Sequence, residues 1–215
     1  MAEKYVGKIG NEKYRIVIPR EEMNFFQKVG SDLKKFWHFL KKDSFWSLIV
    51  NLLLALIIIK FIFFPLLSFI TGSALPLVIV ESCSMYHSNG IEEVLDNKIY
   101  SQYNIGLADA EKWSLRDGLN KGDIIFVVGS SKLSVGDIII FNANMQNPLI
   151  HRIISIKDGK ITTKGDHNSG LLEQEKEISE SQIVGKAVFK IPLVGWVKLI
   201  FFDFQKSAQE RGLCS

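Results

Sequence analysis

The stretch Lys121–Phe141, KGDIIFVVGSSKLSVGDIIIF, carries the main signal for the fold. It contains two turn-then-strand units. Lys121-Gly122-Asp123 opens Ile124 to Val128, and Val135-Gly136-Asp137 opens Ile138 to Phe141. Short β-branched and aromatic runs bounded by Gly and Asp read as strands. Toward the C-terminus, Ile150 to Lys157, a turn at Asp158-Gly159 and Lys160 to Lys164 read as a hairpin, and Ile183 to Lys190 as another strand. Closely spaced strands parted by turns predict a mainly β domain, an antiparallel sheet curled into a small barrel or sandwich. Asp123 and Asp137, in the repeated Gly-Asp turns, read as structural.

Toward the N-terminus the texture changes. Ile91, Val94, Leu95 and Ile99 suggest one short helix and Leu107 to Leu115 another, between breakers at Asn89-Gly90 and Asp117-Gly118. Residues 87–120 therefore read as a partly helical insertion. Before it, LVIVESCSMYHS (77–88) is an apolar run that delivers Ser82, Cys83, Ser84 and Met85.

Residues 46–70, WSLIVNLLLALIIIKFIFFPLLSFI, are long and apolar enough for a transmembrane helix, with Lys60 the single charge. More than forty residues precede the run, so it does not read as a cleavable signal. Lys34, Lys35, Lys41 and Lys42 crowd its N-terminal flank, whereas no Lys or Arg follows from Thr71 until Lys98. The positive-inside rule then predicts a single-pass protein of the cell membrane with its N-terminus cytoplasmic and the rest outside. Ahead of the span, residues 3–19 read as a hairpin around Gly10-Asn11, followed by a basic amphipathic helix. The expected layout is 1–45 cytoplasmic, 46–70 spanning, 71–190 an extracytoplasmic domain interrupted at 87–120, and 191–215 an apolar tail. That tail, with Trp196, Phe201, Phe202 and Phe204, suits a segment dipping into the membrane interface.

Composition narrows the function. At 215 residues, one membrane-anchored domain is expected, and a net charge of +3 with no basic-aromatic run after residue 45 argues against nucleic acid as a partner. The two cysteines, Cys83 and Cys214, give no metal-ligand spacing and call for no disulfide framework. No metal or cofactor is expected, and Cys83 reads as a small packing residue.

A serine held where a strand ends suits a nucleophile, which points to Ser84. Ser82, two residues earlier on the same face, suits an oxyanion donor beside the Ser84 N–H. Of the four histidines, His38 lies before the span, His87 is close to Ser84 in sequence, and His167 directly follows Asp166. His151 sits in an apolar strand, PLIHRIISI, where an imidazole needs a partner. It reads as the general base, with Asp166 as the carboxylate that orients it.

These pieces resemble signal peptidase I of the archaeal and endoplasmic-reticulum type. The matching segments are Val80-Glu81-Ser82-Cys83-Ser84-Met85, Lys121-Gly122-Asp123-Ile124-Ile125, Val135 to Phe141, Ile150-His151-Arg152, Thr163-Lys164-Gly165-Asp166-His167-Asn168 and Ile183 to Ala187, in the family's order. The resemblance implies a membrane-tethered serine endopeptidase that removes signal peptides from exported precursors, with the lipid bilayer and the secretion translocon as surroundings. Ser84 matches the nucleophile, His151 the base of this branch, and Asp166 the Asp of a Gly-Asp-Asn-Asn-like turn. Two departures touch the site: Cys83 stands where the family usually has Gly, and Leu172 where it often has a second Asp. Glu173 and Glu175 are nearby acids, so the carboxylate orienting His151 stays open between them and Asp166. A soluble Ser-Lys peptidase of the same broad fold is disfavoured by His151. A catalytically inactive membrane-anchored scaffold remains the alternative, along with an interaction subunit using 87–120 as its surface.

Overall fold

The computed structural model describes residues 4–9, 12–17, 20–129, 132–145, 147–207 and 211–214, with side chains from residue 25 onward. The chain forms two compact units, residues 1–63 and 64–215. In the first, β1 (Lys4–Ile9) and β2 (Glu12–Val17) pair antiparallel, with Lys4 opposite Val17 and Ile9 opposite Glu12. The Gly10-Asn11 turn expected between them lies outside the described residues. Helix α1 (Arg20–Leu40) follows, then α2 (Phe45–Ile58) and a π-helical turn, Ile59–Phe63.

Two polar residues in the apolar α2 have a local cause. Ser47 Oγ and Asn51 Nδ2 donate to the Leu40 carbonyl, at 3.0 and 2.9 Å. Carbonyls in the last turn of a helix lack intrahelical partners, and these side chains satisfy the last one of α1. The helical run Phe45–Thr71 is the one helix among the described residues long and apolar enough to cross a membrane. Its most apolar stretch has a mean hydropathy of 2.7 and is not buried.

The second unit opens with α3 (Phe64–Thr71) and β3 (Leu77–Ile79). Three short helices follow, α4 (Ile91–Leu95), α5 (Lys98–Gln102) and α6 (Leu107–Ala110). Strands β4 (Ile124–Val128), β5 (Ile138–Phe141), β6 (Leu149–Lys157), β7 (Lys160–Lys164) and β8 (Ile183–Ile191) complete the sheet, before a short helix, α7 (Trp196–Leu199), and a 3-10 turn, Asp203–Gln205. All pairings are antiparallel in the order β3-β4-β8-β5-β6-β7, so the mainly β expectation holds. The sheet is open rather than closed: β3 and β7 are its edges.

Alternation along the central strand explains why the sheet is buried on both faces. Ile138 and Ile140 of β5 join Val80, Met85, Leu119, Ile125, Val127 and Ala187 on one side. Ile139 and Phe141 join Ala143, Ile153, Ile161 and Ile178 on the other. A four-residue strand with no polar member can serve two cores at once. The insertion carries its own cluster, Ile91, Val94, Tyr100, Ile105, Ala110 and Trp113, closed against Ile154 of β6.

The repeated Gly-Asp turns are structural in the same way. Asp123 Oδ2 accepts the Asn120 N–H at 2.9 Å, and Asp137 Oδ2 accepts the Ser134 N–H at 3.0 Å. Gly122 (φ 93°) and Gly136 (φ 97°) are left-handed, and a side chain on either would enter an indole, Trp196 over Gly122 and Trp113 over Gly136. Each turn thus carries a tryptophan. One belongs to the tail and the other to the insertion, which docks both segments onto the sheet.

Candidate active site

Ser84 stands five residues beyond the end of edge strand β3, in a loop held on both sides. Before it, Val80 keeps the β4 ladder going, donating to the Asp123 carbonyl at 2.9 Å and accepting the Gly122 N–H at 2.8 Å. After it, Met85 is buried, and its carbonyl accepts the Leu119 N–H at 2.8 Å. The Tyr86 N–H closes a turn on the Cys83 carbonyl at 3.0 Å, and the His167 N–H reaches the Ser84 carbonyl at 2.9 Å. Ser82 and Ser84 share a face, with hydroxyl oxygens 3.2 Å apart. Cys83 points elsewhere and is bonded to Cys214. Cys83, read from the sequence as a small packing residue, is thus one half of a disulfide that nothing in the sequence called for.

His151 lies on β6 opposite Ile139 of β5, so two paired strands fix its backbone. Its side chain is buried, and Nε2 is 3.1 Å from Ser84 Oγ. On the other side of the ring, Nδ1 is 2.6 Å from Glu175 Oε1, a close contact that is not collinear with a ring N–H. Glu175 is buried, and backbone donors hold both of its oxygens: the Gly165 N–H on Oε1 at 2.8 Å and the Leu172 N–H on Oε2 at 2.6 Å. Leu172 starts a 3-10 turn, Glu173–Glu175, and Glu175 reaches back to that turn's first N–H. Reaching back three residues is how capping-box glutamates behave, and the sequence keeps Glu175 among the candidate acids for its nearness to Leu172.

Asp166, expected to orient His151, has other partners. Arg152 donates from Nε to both of its oxygens, at 3.1 and 3.0 Å, and from NH2 to Oδ2 at 2.7 Å. The Tyr100 hydroxyl donates to Oδ1 at 2.9 Å, and His87 Nε2 meets Oδ2 at 2.8 Å. Burial pushes the Asp166 pKa up, but the Arg152 charge and the hydrogen bonds from His87 and Arg152 outweigh it and hold the carboxyl below the usual carboxylate range. Burial, and then the Asp166 charge, raise the Tyr100 pKa, so its hydroxyl stays a donor. Arg152 itself is fully buried, stacks over Trp113 at 4.8 Å, and donates to the carbonyls of Ser114, Leu115 and Gly136 at 3.3, 3.2 and 2.9 Å. The Arg152–Asp166 pair therefore ties β6 and the turn after β7 to both ends of the insertion.

One more charge shapes the site. Lys164 is fully buried, donates to the Gly165 carbonyl at 2.8 Å and to that of Asn168, and sits 5.6 Å from the Tyr100 ring. Burial lowers its pKa, opposed by the Asp166 and Glu175 charges. Lys164 thus fixes the 165–168 turn whose Gly165 N–H holds Glu175.

The structure brings Ser82, Ser84 and His151 together, with Glu175 rather than Asp166 or the exposed Glu173 against the imidazole. The sequence reading missed His87, Tyr100 and Arg152 as partners of Asp166. Among the described residues, no cluster of His, Cys, Asp or Glu could hold a metal ion.

In sequence, the chain is similar to catalytic subunits of the signal peptidase complex. It is 26% identical over 104 residues to the signal peptidase complex catalytic subunit SEC11 of Colletotrichum graminicola, covering 42% of this chain and 60% of that protein. It is 28% identical over 106 residues to the human SEC11C subunit, covering 43% of this chain and 55% of that one. The Verticillium alfalfae SEC11 subunit is 29% identical over 103 residues, covering 42% and 60%. The chain thus spans 55–60% of the length of these curated relatives. No family model matches it.

Proposed function

We propose that this chain is a membrane-anchored serine endopeptidase that removes N-terminal signal peptides from precursors emerging from the secretion translocon. Ser84 is the nucleophile, His151 the general base and Glu175 the orienting carboxylate. The observation that carries this is the Ser84 Oγ to His151 Nε2 approach of 3.1 Å, backed by Glu175 on the far ring nitrogen.

The chemistry follows from that alignment. His151 accepts the Ser84 proton at Nε2 as Oγ attacks the scissile carbonyl, which leaves an imidazolium whose charge lies beside the Glu175 carboxylate. Two amide donors pin that carboxylate, so it can stabilise the cation without reorganising. The Ser84 N–H and the Ser82 hydroxyl serve the oxyanion. Collapse breaks the peptide C–N bond as His151 returns the proton to the leaving amine, and water then hydrolyses the acyl-enzyme.

Substrate delivery fits the edge strand. Pro76 and Val80 bond toward β4 through their backbones, so by alternation Leu77 and Ile79 direct theirs to the open side. An extended segment can add there as a further strand. The Phe45–Thr71 helix suits an anchor, with the lysine-rich flank inside. The Cys83–Cys214 disulfide favours placing the second unit on the oxidising, extracytoplasmic side.

The test is cleavage of a signal-bearing precursor by the full chain in detergent micelles, with mass mapping of a fluorophosphonate adduct. The reading expects shortening of the precursor and an adduct on Ser84. A folded protein that gives neither is an inactive scaffold.

Gly165→Ala probes the base directly. An added Cβ would lie 2.9 Å from His151 Nε2 and 2.5 Å from Asn168 Nδ2. One side chain must move, so cleavage is expected to fall about 10²-fold, the usual effect of roughly an ångström's misplacement of a reacting group. Wild-type turnover in this variant would count against His151 as the base.

A further inference from the structure

We infer that Cys214 is a positioning residue for Ser84: through its bond to Cys83, the C-terminal tail latches the nucleophile loop against the base. This rests on the assignment of Ser84 as nucleophile.

His151 is fixed by β6, so the Ser84–His151 distance depends on the loop. Val80 is secured by β4, and Met85 by the core and Leu119. The residues between are held in part by the His167 N–H on the Ser84 carbonyl and the Tyr86 N–H on the Cys83 carbonyl, and at Glu81 and Cys83 by one further segment, the tail. Lys206 Nζ donates to the Glu81 carbonyl at 2.6 Å, Lys198 lies 3.4 Å from the Glu81 carboxylate, and Cys214 bonds to Cys83. The Lys198 contact is exposed and weak, so the tail's effective holds on this loop are the carbonyl bond and the disulfide, and the disulfide is the covalent one.

The tail is itself moored. Asp203 pairs with Lys121, whose side chain is buried, and accepts the Gly212 N–H at 2.8 Å. The Lys121 N–H approaches Cys214 Sγ at 3.5 Å, and Trp196 Nε1 donates to the Lys121 carbonyl at 3.0 Å. The turn that opens β4 therefore supports the tail, and the tail holds the residue between the two active-site serines. Both cysteines of the chain are used in this one bond.

Breaking it should leave the cores intact and free the loop at the position beside Ser84. Chemistry then suffers more than binding. The experiment compares oxidised wild type, wild type reduced with dithiothreitol and capped with iodoacetamide, and Cys214→Ser. Dithiothreitol supplies two electrons and two protons, yields two thiols and leaves as its cyclic disulfide. The readouts are kcat and KM for precursor cleavage and thermal melting to establish the folded fraction; a reduced, uncapped sample is also re-oxidised.

Expected is a loss of about 10- to 100-fold in kcat with KM changed less than about two-fold, at temperatures where all forms are folded. Re-oxidation should restore kcat. Equal kcat in oxidised and reduced folded protein overturns the latch, as does a loss that merely tracks the folded fraction. If oxidised wild type neither cleaves nor labels at Ser84, the nucleophile assignment itself has failed. If it cleaves and the reduced form cleaves equally well, only the latch has.

Discussion

Ser84→Ala and His151→Ala should each lower kcat for precursor cleavage by about 10⁶-fold, and the double variant should be no worse than either single one. A nucleophile and its base act as a unit, so once one is gone the other has nothing left to do. Glu175→Gln keeps the side-chain shape but removes the charge facing the imidazolium. It also turns an acceptor into a group that can donate, which favours the wrong imidazole tautomer. A loss of about 10⁴-fold in kcat is expected, the scale seen when an orienting carboxylate becomes its amide. Asp166→Asn separates the two candidate acids: turnover per folded molecule should fall far less than in Glu175→Gln. The reverse order would return the orienting role to Asp166 and leave Glu175 as a support for the 165–172 segment.

The largest stability effect is expected at the Arg152–Asp166 pair. Both side chains are fully buried, and the guanidinium gives two of its nitrogens to the carboxylate. Removing one partner strands a charge in the interior, at a cost of about 3–5 kcal/mol. Arg152→Met and Asp166→Leu should therefore each lower Tm by roughly 10 °C for a chain of this size, read by thermal melting. The double variant should recover much of the loss, because no buried charge is then unpaired. Tyr100→Phe removes one hydrogen bond to Asp166 and should cost about 1–2 kcal/mol. The same pair gives an acid dependence. The folded-state pKa of Asp166 lies below the unfolded value of about 3.9, so its stabilisation is complete above that value and is lost as pH falls further. Asp166→Leu should remove this part of the acid sensitivity.

Much of the sheet was legible because its strands are β-branched runs punctuated by Gly and Asp. The repeated Gly122-Asp123 and Gly136-Asp137 turns marked where two of them begin. The strand order was not legible: β8 inserts between β4 and β5, a long-range pairing without local signal. At the site, local context singled out Ser84 and His151, which lie 3.1 Å apart, but gave no sign that Arg152 would hold Asp166. A long charged side chain reads as solvent-facing, so nothing announced that Arg152 would be buried and draw Asp166 to itself. The disulfide was equally hidden, since 131 positions separate its cysteines and strand alternation predicts only that Cys83 turns away from Ser84.

The Cys83–Cys214 bond makes a covalent ring of the chain, enclosing β4 to β8, the three helices of the insertion and α7. Closing so long a loop removes about 4–5 kcal/mol worth of unfolded-chain freedom in the entropic account. It also changes what a cut means. A protease that nicks the exposed Asn89 region or the segment around Glu173 opens the ring without releasing a fragment. The nicked molecule keeps its mass on a non-reducing gel and separates into two pieces only after reduction. Damage at the surface of the domain then leaves Ser84, His151 and Glu175 on a single molecule.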